Sequence, residues 1–113
     1  TKEVQRTKIY MSTIIKIKNL VGDFAENKDV AKDLRITKIM PTLADGGEVV
    51  LDFSGVSGTT QSFIHALISE PIRRFRDVAL EKIHYKNCSD VVKEVIKTVS
   101  EYMQESLDSK NYE

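Results

Sequence analysis

The amino-acid sequence alternates between short β-branched stretches and longer segments with helical periodicity. The β-type stretches lie at Met11–Leu20, at Glu48–Phe53 and around Lys82–Lys86. The first alternates isoleucine with lysine, which is typical of a strand with one solvated face. The second is a continuous apolar run closed by Asp52, which predicts a central strand covered on both faces.

A helical segment follows each of these stretches. In residues 22–40 the apolar positions recur at helical intervals, and Pro41 predicts that this helix ends or kinks near Met40. The expected apolar positions of this first helix are Val30, Leu34, Ile36, Ile39 and Met40.

The second helix follows the loop "SGVSGTT", where Thr59 or Thr60 is a good N-cap. Phe63 and Leu67, with Ile64 and Ile68, form its predicted buried stripe, and Pro71 predicts a kink or a fresh first turn. The third helix has the clearest pattern, with Asn87 or Ser89 as its cap. Its apolar positions are Val92, Val95, Ile96, Val99 and Met103.

The order β-α-β-α-β-α predicts one α/β domain whose mostly parallel central sheet is connected by crossover helices. We expect this domain to span residues 11–106, with a flexible tail over 107–113. Residues 1–10 are a native extension or a cloning remnant, and both readings stay open. Sheets of this kind bind ligands at the carboxyl ends of their strands, where Asp52 and the following loop would lie.

The composition excludes several classes of function. Lys plus Arg equals Asp plus Glu at 17 each, so the whole chain has no general attraction for nucleic acid or anionic lipid. The single cysteine, Cys88, forms no internal disulfide, and no Cys and His cluster has metal-ligand spacing. No apolar run is long enough for a membrane span. We therefore expect a cytoplasmic protein without metal or cofactor.

The loop between Asp52 and Ser62 is compatible with two kinds of chemical site. Glycines and hydroxyls before a helix can form a phosphate cradle, although the Walker A spacing is absent. Asp52 can be a phosphate-accepting nucleophile, or it can take hydrogen bonds from loop amides and hold the turn with Ser54 and Gly55. A nucleotide-binding or phosphotransfer domain that uses this loop is thus the alternative function.

Other reactive side chains carry weaker signals. His65 lies three residues after Ser62 on a helix, but the signature of a nucleophile elbow is missing. Cys88 is at a helix start, where a thiol pKa can be lowered, but a small residue packed at the start of the helix is the favoured interpretation. A basic cluster lies at Arg73, Arg74 and Arg76, and without interleaved aromatics it predicts a solvated face rather than a nucleic-acid site.

The stretch "VVLDFSGVSGTTQSF" resembles the signature of STAS domains, the fold of anti-sigma factor antagonists. In those proteins a strand ending in "D-[LF]-S-x-V" leads into a loop of "D-S-S-G" type that opens a helix. Asp52, Phe53, Ser54 and Val56 match the strand end, and Ser62 falls on the serine that partner kinases phosphorylate. The segments "TIIKIKNL", "VAKDLR" and "YKNCSDVVKEVI" extend the likeness to small bacterial STAS-like proteins found beside histidine-kinase-type ATPases.

The resemblance implies a non-enzymatic bacterial regulator that binds a protein partner, here a histidine-kinase-type ATPase, through residues 57–67. Ser62 is the implied phosphorylation switch, and a homodimer stays open. The chain departs from the antagonists at Thr60, Gln61 and Phe63, where they have aspartate, serine and glycine. The expected partner contacts are Ser57, Gly58, Thr59, Thr60, Gln61, Ser62, Phe63 and His65.

Overall fold

The computed structural model of the protein describes residues 12–111, and for residues 108–111 it describes the backbone alone. The N-terminal stretch 1–10 and the domain start at Met11 lie outside the described residues. In chain order the elements are β1 (Ser12–Lys16), α1 (Ile17–Val21), β2 (Phe24–Ala25), α2 (Lys28–Leu34), a π-helical segment (Arg35–Ile39), α3 (Met40–Ala44), β3 (Glu48–Asp52), β4 (Gly58–Thr59), α4 (Gln61–Phe75), α5 (Asp77–Lys82), β5 (Ile83–Lys86) and α6 (Asp90–Asn111).

The central sheet is parallel and has the order β1-β3-β5, which confirms the predicted α/β fold. The strands follow one another across the sheet in chain order. When successive right-handed crossovers all move in the same direction across a parallel sheet, their helices pack on the same face of that sheet. Val49 and Leu51 are buried on that face, and Ile15 and Ile83 of the flanking strands join them in the core.

The opposite face of this sheet is open in the described residues. Ile14, which pairs with Val50 in the register, is 62% exposed, and Val50 itself is half-buried. The prediction that β3 is covered on both faces is therefore wrong for this part of the chain. An apolar run reveals that a strand is central but not how many layers of helices pack on it.

The sequence predicted that Pro41 ends or kinks the first long helix near Met40, and the helix does not end there. The chain remains helical from Lys28 to Ala44, and residues Arg35–Ile39 widen into a π-helical segment directly before the proline. The Met40 amide donates to the Arg35 carbonyl, five residues back. A wider turn gives room to a ring that would collide with the carbonyl four residues earlier. The extra residue in this turn also shifts the helix phase, so that Ile39, five residues after the buried Leu34, is buried as well. Ile36 is exposed, contrary to the prediction, because two residues after Leu34 it lies on the opposite side of the helix.

The second and third predicted helices are present. Thr60 caps α4 through a hydrogen bond from the Phe63 amide to its Oγ1 at 3.0 Å, and the helix passes Pro71 without starting a new one. It ends at Arg76, which has a φ of 54°, and the short helix α5 follows where no element was predicted. Ser89 caps α6, whose predicted apolar positions face the core. Helix α6 continues to Asn111, into the expected tail.

A two-stranded parallel sheet, β2 with β4, was missed by the sequence analysis. Each strand has two residues, too few to show any periodicity. This small sheet connects the segment after α1 to the loop before α4. It therefore sets the path of the loop that carries the candidate site.

Candidate functional site

Asp52 lies at the end of β3 and organises the turn that follows. Its Oδ1 accepts hydrogen bonds from the Ser54 amide at 2.9 Å and from Asn87 Nδ2 at 3.0 Å. The Asn87 bond, followed by the Ser54 bond, lowers the pKa of the Asp52 carboxyl below its usual value. Asp52 thus stays ionised and connects the ends of β3 and β5.

Gly55 occupies a position in this turn that requires a glycine. Its φ is 80°, and a Cβ at this position would lie 2.6 Å from Cδ of Lys18. On either side of it, Phe53 and Val56 are buried, and the Val56 amide donates to the Phe53 carbonyl at 2.9 Å. The turn is thus anchored by two core side chains while Ser54 and Gly55 remain at the surface.

The loop continues along β2 and is held there by hydrogen bonds. Ser57 donates its amide and its hydroxyl to the Asp23 carbonyl at 2.7 and 3.0 Å. Thr59 Oγ1 and the Thr60 amide both donate to the Ala25 carbonyl at 2.7 and 3.1 Å. Gly58 is covered by the ring of Phe24, whose Cε1 would lie 2.9 Å from a Cβ on that glycine.

These contacts divide the predicted partner-binding residues into three groups. Gly58, Thr59 and Phe63 are buried, and Phe63 has no exposed surface, so these residues are not accessible to another protein. Thr60 is half-buried and is used as the helix cap. The residues exposed to solvent are Ser57, Gln61, Ser62 and His65.

The exposed side of the first turns of α4 forms one wall of a groove. Gln61, Ser62, His65 and Ala66 line it from α4, and its volume is about 510 Å³. Helix α6 and the first residue of α2 complete it. The residues contributed by these other elements are Lys28, Thr98, Val99 and Tyr102.

The sequence analysis named none of these four outer residues as part of a site. Thr98 and Tyr102 lie on the solvent side of α6, and Tyr102 is 63% exposed. Within α6 alone, an exposed tyrosine is an ordinary feature of a surface. Only the packing of α4 against α6 brings it beside Ser62 and His65. One available signal was its large aromatic side chain, which lies one turn from the polar residues Thr98, Glu105 and Ser106.

The remaining candidate residues lie elsewhere. Cys88 lines a separate cleft, and burial is the main cause that raises the pKa of its thiol, so it is not an activated nucleophile. Arg73 forms an ion pair with Glu70 of the same helix. His84 Nε2 lies 2.6 Å from Glu48 Oε1, in the central sheet rather than at the groove. In residues 12–107 no group of three or more His, Cys, Asp and Glu side chains has a metal-binding arrangement.

A parallel sheet whose central strand ends in an acid, followed by a hydroxyl-rich loop that opens a helix, is the architecture of a STAS-like domain. The chain matches the family described as "STAS-like domain of unknown function (DUF4325)" over residues 30–93, and it belongs to this family. The resemblance stated from the sequence is thereby confirmed. No curated protein and no solved structure matches the chain.

Among residues 12–111, no helix is both long enough and apolar enough to cross a bilayer. The longest, α6, carries charged residues along its length and packs its apolar positions into the core.

Proposed function

We propose that this chain is a non-enzymatic cytoplasmic regulator that binds a protein partner through the groove beside Ser62. The observation that carries the proposal is the exposed wall of α4, where Gln61, Ser62 and His65 face an exposed Tyr102 across a groove of about 510 Å³. Ala66 and Val99 give the groove apolar surface beside Tyr102, and tyrosine is enriched at protein interfaces.

Ser62 is the proposed switch residue in this surface. It is exposed and lies in the first turn of α4, where a negative charge is favourable to the helix. A phosphate on its hydroxyl would add a charge of about −1.5 to −2. Lys28 and His65 line the same groove and supply groups that pair with such a charge. The phosphate would thus occupy the groove and displace the partner without unfolding the domain.

The proposed partner is a histidine-kinase-type ATPase that also phosphorylates Ser62. Support for this comes from the resemblance to anti-sigma factor antagonists, in which Asp52 to Ser62 has the same register. The buried Phe63 leaves the neighbouring Ser62 hydroxyl exposed. The bulky residue at this position therefore does not block access by a kinase.

Four backbone amides of the loop are not available for a phosphate cradle. The amides of Ser54, Val56, Ser57 and Thr60 all donate to oxygen atoms within the protein. A cradle needs such N–H groups to be free and directed toward the anion. We therefore do not advance a nucleotide site made by the amides of this loop.

Site-specific photocrosslinking in the native cell tests the proposal. A photoreactive phenylalanine analogue replaces Gln61 in the groove or, as a control, the exposed Ile36 on the π-helical segment. We expect a covalent adduct with one ATPase from the Gln61 position alone. The absence of an adduct there, or the same adducts from both positions, would contradict the proposed surface.

The purified partner then allows a quantitative test of the switch. Ser62→Asp should weaken binding by at least about tenfold, since charges placed in desolvated interfaces cost several kcal/mol. Ser12→Asp makes the same change at an exposed residue outside the groove and should leave the Kd unchanged. Incubation of the partner with ATP should phosphorylate the wild type and not Ser62→Ala. Equal affinities of the two aspartate variants would refute the switch.

A further inference from the structure

A second cluster of charged side chains lies at the carboxyl end of the central sheet and shares no residue with the groove beside Ser62. Lys16, Asp52 and Lys86 are the last residues of β1, β3 and β5. The parallel register places Lys16 beside Asp52 and Asp52 beside Lys86. Since side chains alternate along a strand, the three lie on the same face as the exposed Ile14.

Lys18 joins this cluster from α1. Together with Lys16, Asn19, Asp52 and Ser54 it lines a cleft of about 200 Å³. The side chain of Lys18 lies across Gly55, where a Cβ would be 2.6 Å from its Cδ and 3.1 Å from its Nζ. The absence of a side chain at this position lets the lysine lie against the turn, with its ammonium group at the cleft.

The local charge is positive although the whole chain has a net charge of zero. Lys16, Lys18 and Lys86 bring three positive charges to one carboxylate, which leaves 3 − 1 = +2. Among the residues whose side chains are described, none of these lysines forms an ion pair. Asp52 Oδ1 already accepts two hydrogen bonds from within the protein. Within the described residues, these lysines therefore bring an excess of positive charge to the cleft and its edge.

We propose that this cleft binds the phosphate group of a small phosphorylated molecule. Lys16 and Lys18 would contact the phosphate oxygens as charged donors, and Lys86 would add attraction from the far side of Asp52. A volume of about 200 Å³ lies below that of sites for drug-sized ligands, so the cleft holds a phosphate group and leaves a sugar or base outside. Side chains, rather than the engaged loop amides, provide the recognition.

The test is a titration at low ionic strength with pyrophosphate, ATP and adenosine, followed through the backbone amide NMR signals of Asn19, Ser54 and Gly55. Pyrophosphate and ATP should both shift these signals in a saturable way, and adenosine should not. A response to ATP alone would identify the nucleoside as the recognised part and would overturn the phosphate assignment.

Variants of the charged residues test whether pyrophosphate binds in this cleft. Lys18→Gln and Lys16→Gln should each weaken pyrophosphate binding by about tenfold, the loss expected for one charged hydrogen bond. Lys16→Gln keeps the test valid if Lys18→Gln disturbs the turn. Asp52→Asn keeps an acceptor for Ser54 and Asn87 while removing the negative charge, so it should tighten binding. Lys32→Gln, at an exposed position on α2, is the matched control.

Three results would overturn the proposal. The first is the absence of a saturable shift with pyrophosphate. The second is an equal loss of binding in Lys16→Gln and Lys32→Gln, which would indicate an unspecific charge effect. The third is tighter binding of a DNA duplex than of pyrophosphate through the same lysines, which would assign the cleft to nucleic acid. Each result is independent of whether a protein partner binds beside Ser62.

Discussion

Replacement of Phe63 by alanine tests whether this residue belongs to the hydrophobic core or to the partner-binding surface. Phe63 follows Ser62 directly, yet its side chain has no exposed surface. Truncating a fully buried phenylalanine costs about 3–5 kcal/mol, from lost burial and from the cavity left behind. Small domains have total stabilities of about 5–15 kcal/mol, so this single change removes a large fraction.

Urea unfolding followed by far-UV circular dichroism measures this loss. With a slope of about 1–3 kcal/mol per molar urea, the midpoint should fall by roughly 2 M. Gln61→Ala and His65→Ala remove exposed side chains of the same helix turn and should change the free energy of unfolding by no more than about 0.5 kcal/mol. A loss below about 1 kcal/mol for Phe63→Ala would refute the core assignment and return Phe63 to the contact surface.

Three further predictions concern the turn and the thiol. Gly55→Ala should destabilise the domain by about 1–2 kcal/mol in urea unfolding, because alanine is strained at a φ of 80°; an unchanged midpoint would contradict this. Because the folded-state pKa of Asp52 is lowered, its contribution to stability is present above the unfolded value near 3.8 and is lost as the pH falls through the folded pKa. The free energy of unfolding of Asp52→Asn should therefore fall less steeply in acid than that of the wild type. Parallel plots of this free energy against pH for the two proteins would contradict the prediction. Cys88 should react with a thiol reagent at neutral pH more slowly than free cysteine, since burial raises its pKa; an equal or faster rate would be inconsistent with that environment.

Periodicity was sufficient for the main elements of the fold. The three principal strands, the capped helix after Thr60 and the apolar face of α6 follow from side-chain spacing and capping chemistry. Prediction from periodicity failed where backbone geometry and packing determine the secondary structure. Periodicity did not reveal that a π-helical turn lets the helix continue past Pro41, and β2 with β4 was missed because two-residue strands carry no pattern.

The sequence predicted only the part of the candidate site that comes from α4 and its cap. Ser62 and His65 lie in the first two turns of one helix and Thr60 caps it, so their proximity follows from sequence spacing. Tyr102 and Lys28 reach the same groove from other helices, about forty and thirty-four residues away in the chain. No local rule relates positions so far apart, because their contact depends on how α4, α6 and α2 pack.

The sequence by itself determined the class of the fold and the strand end from which the loop departs, because these depend on local alternation and on residues next to one another. Tertiary structure decided which loop residues are accessible. Gly58 and Thr59 look like surface residues in the sequence, yet pairing with β2 buries them. The clustering of Lys16, Lys18 and Lys86 around Asp52 was decided in the same way, because the register of parallel strands brings distant residues side by side.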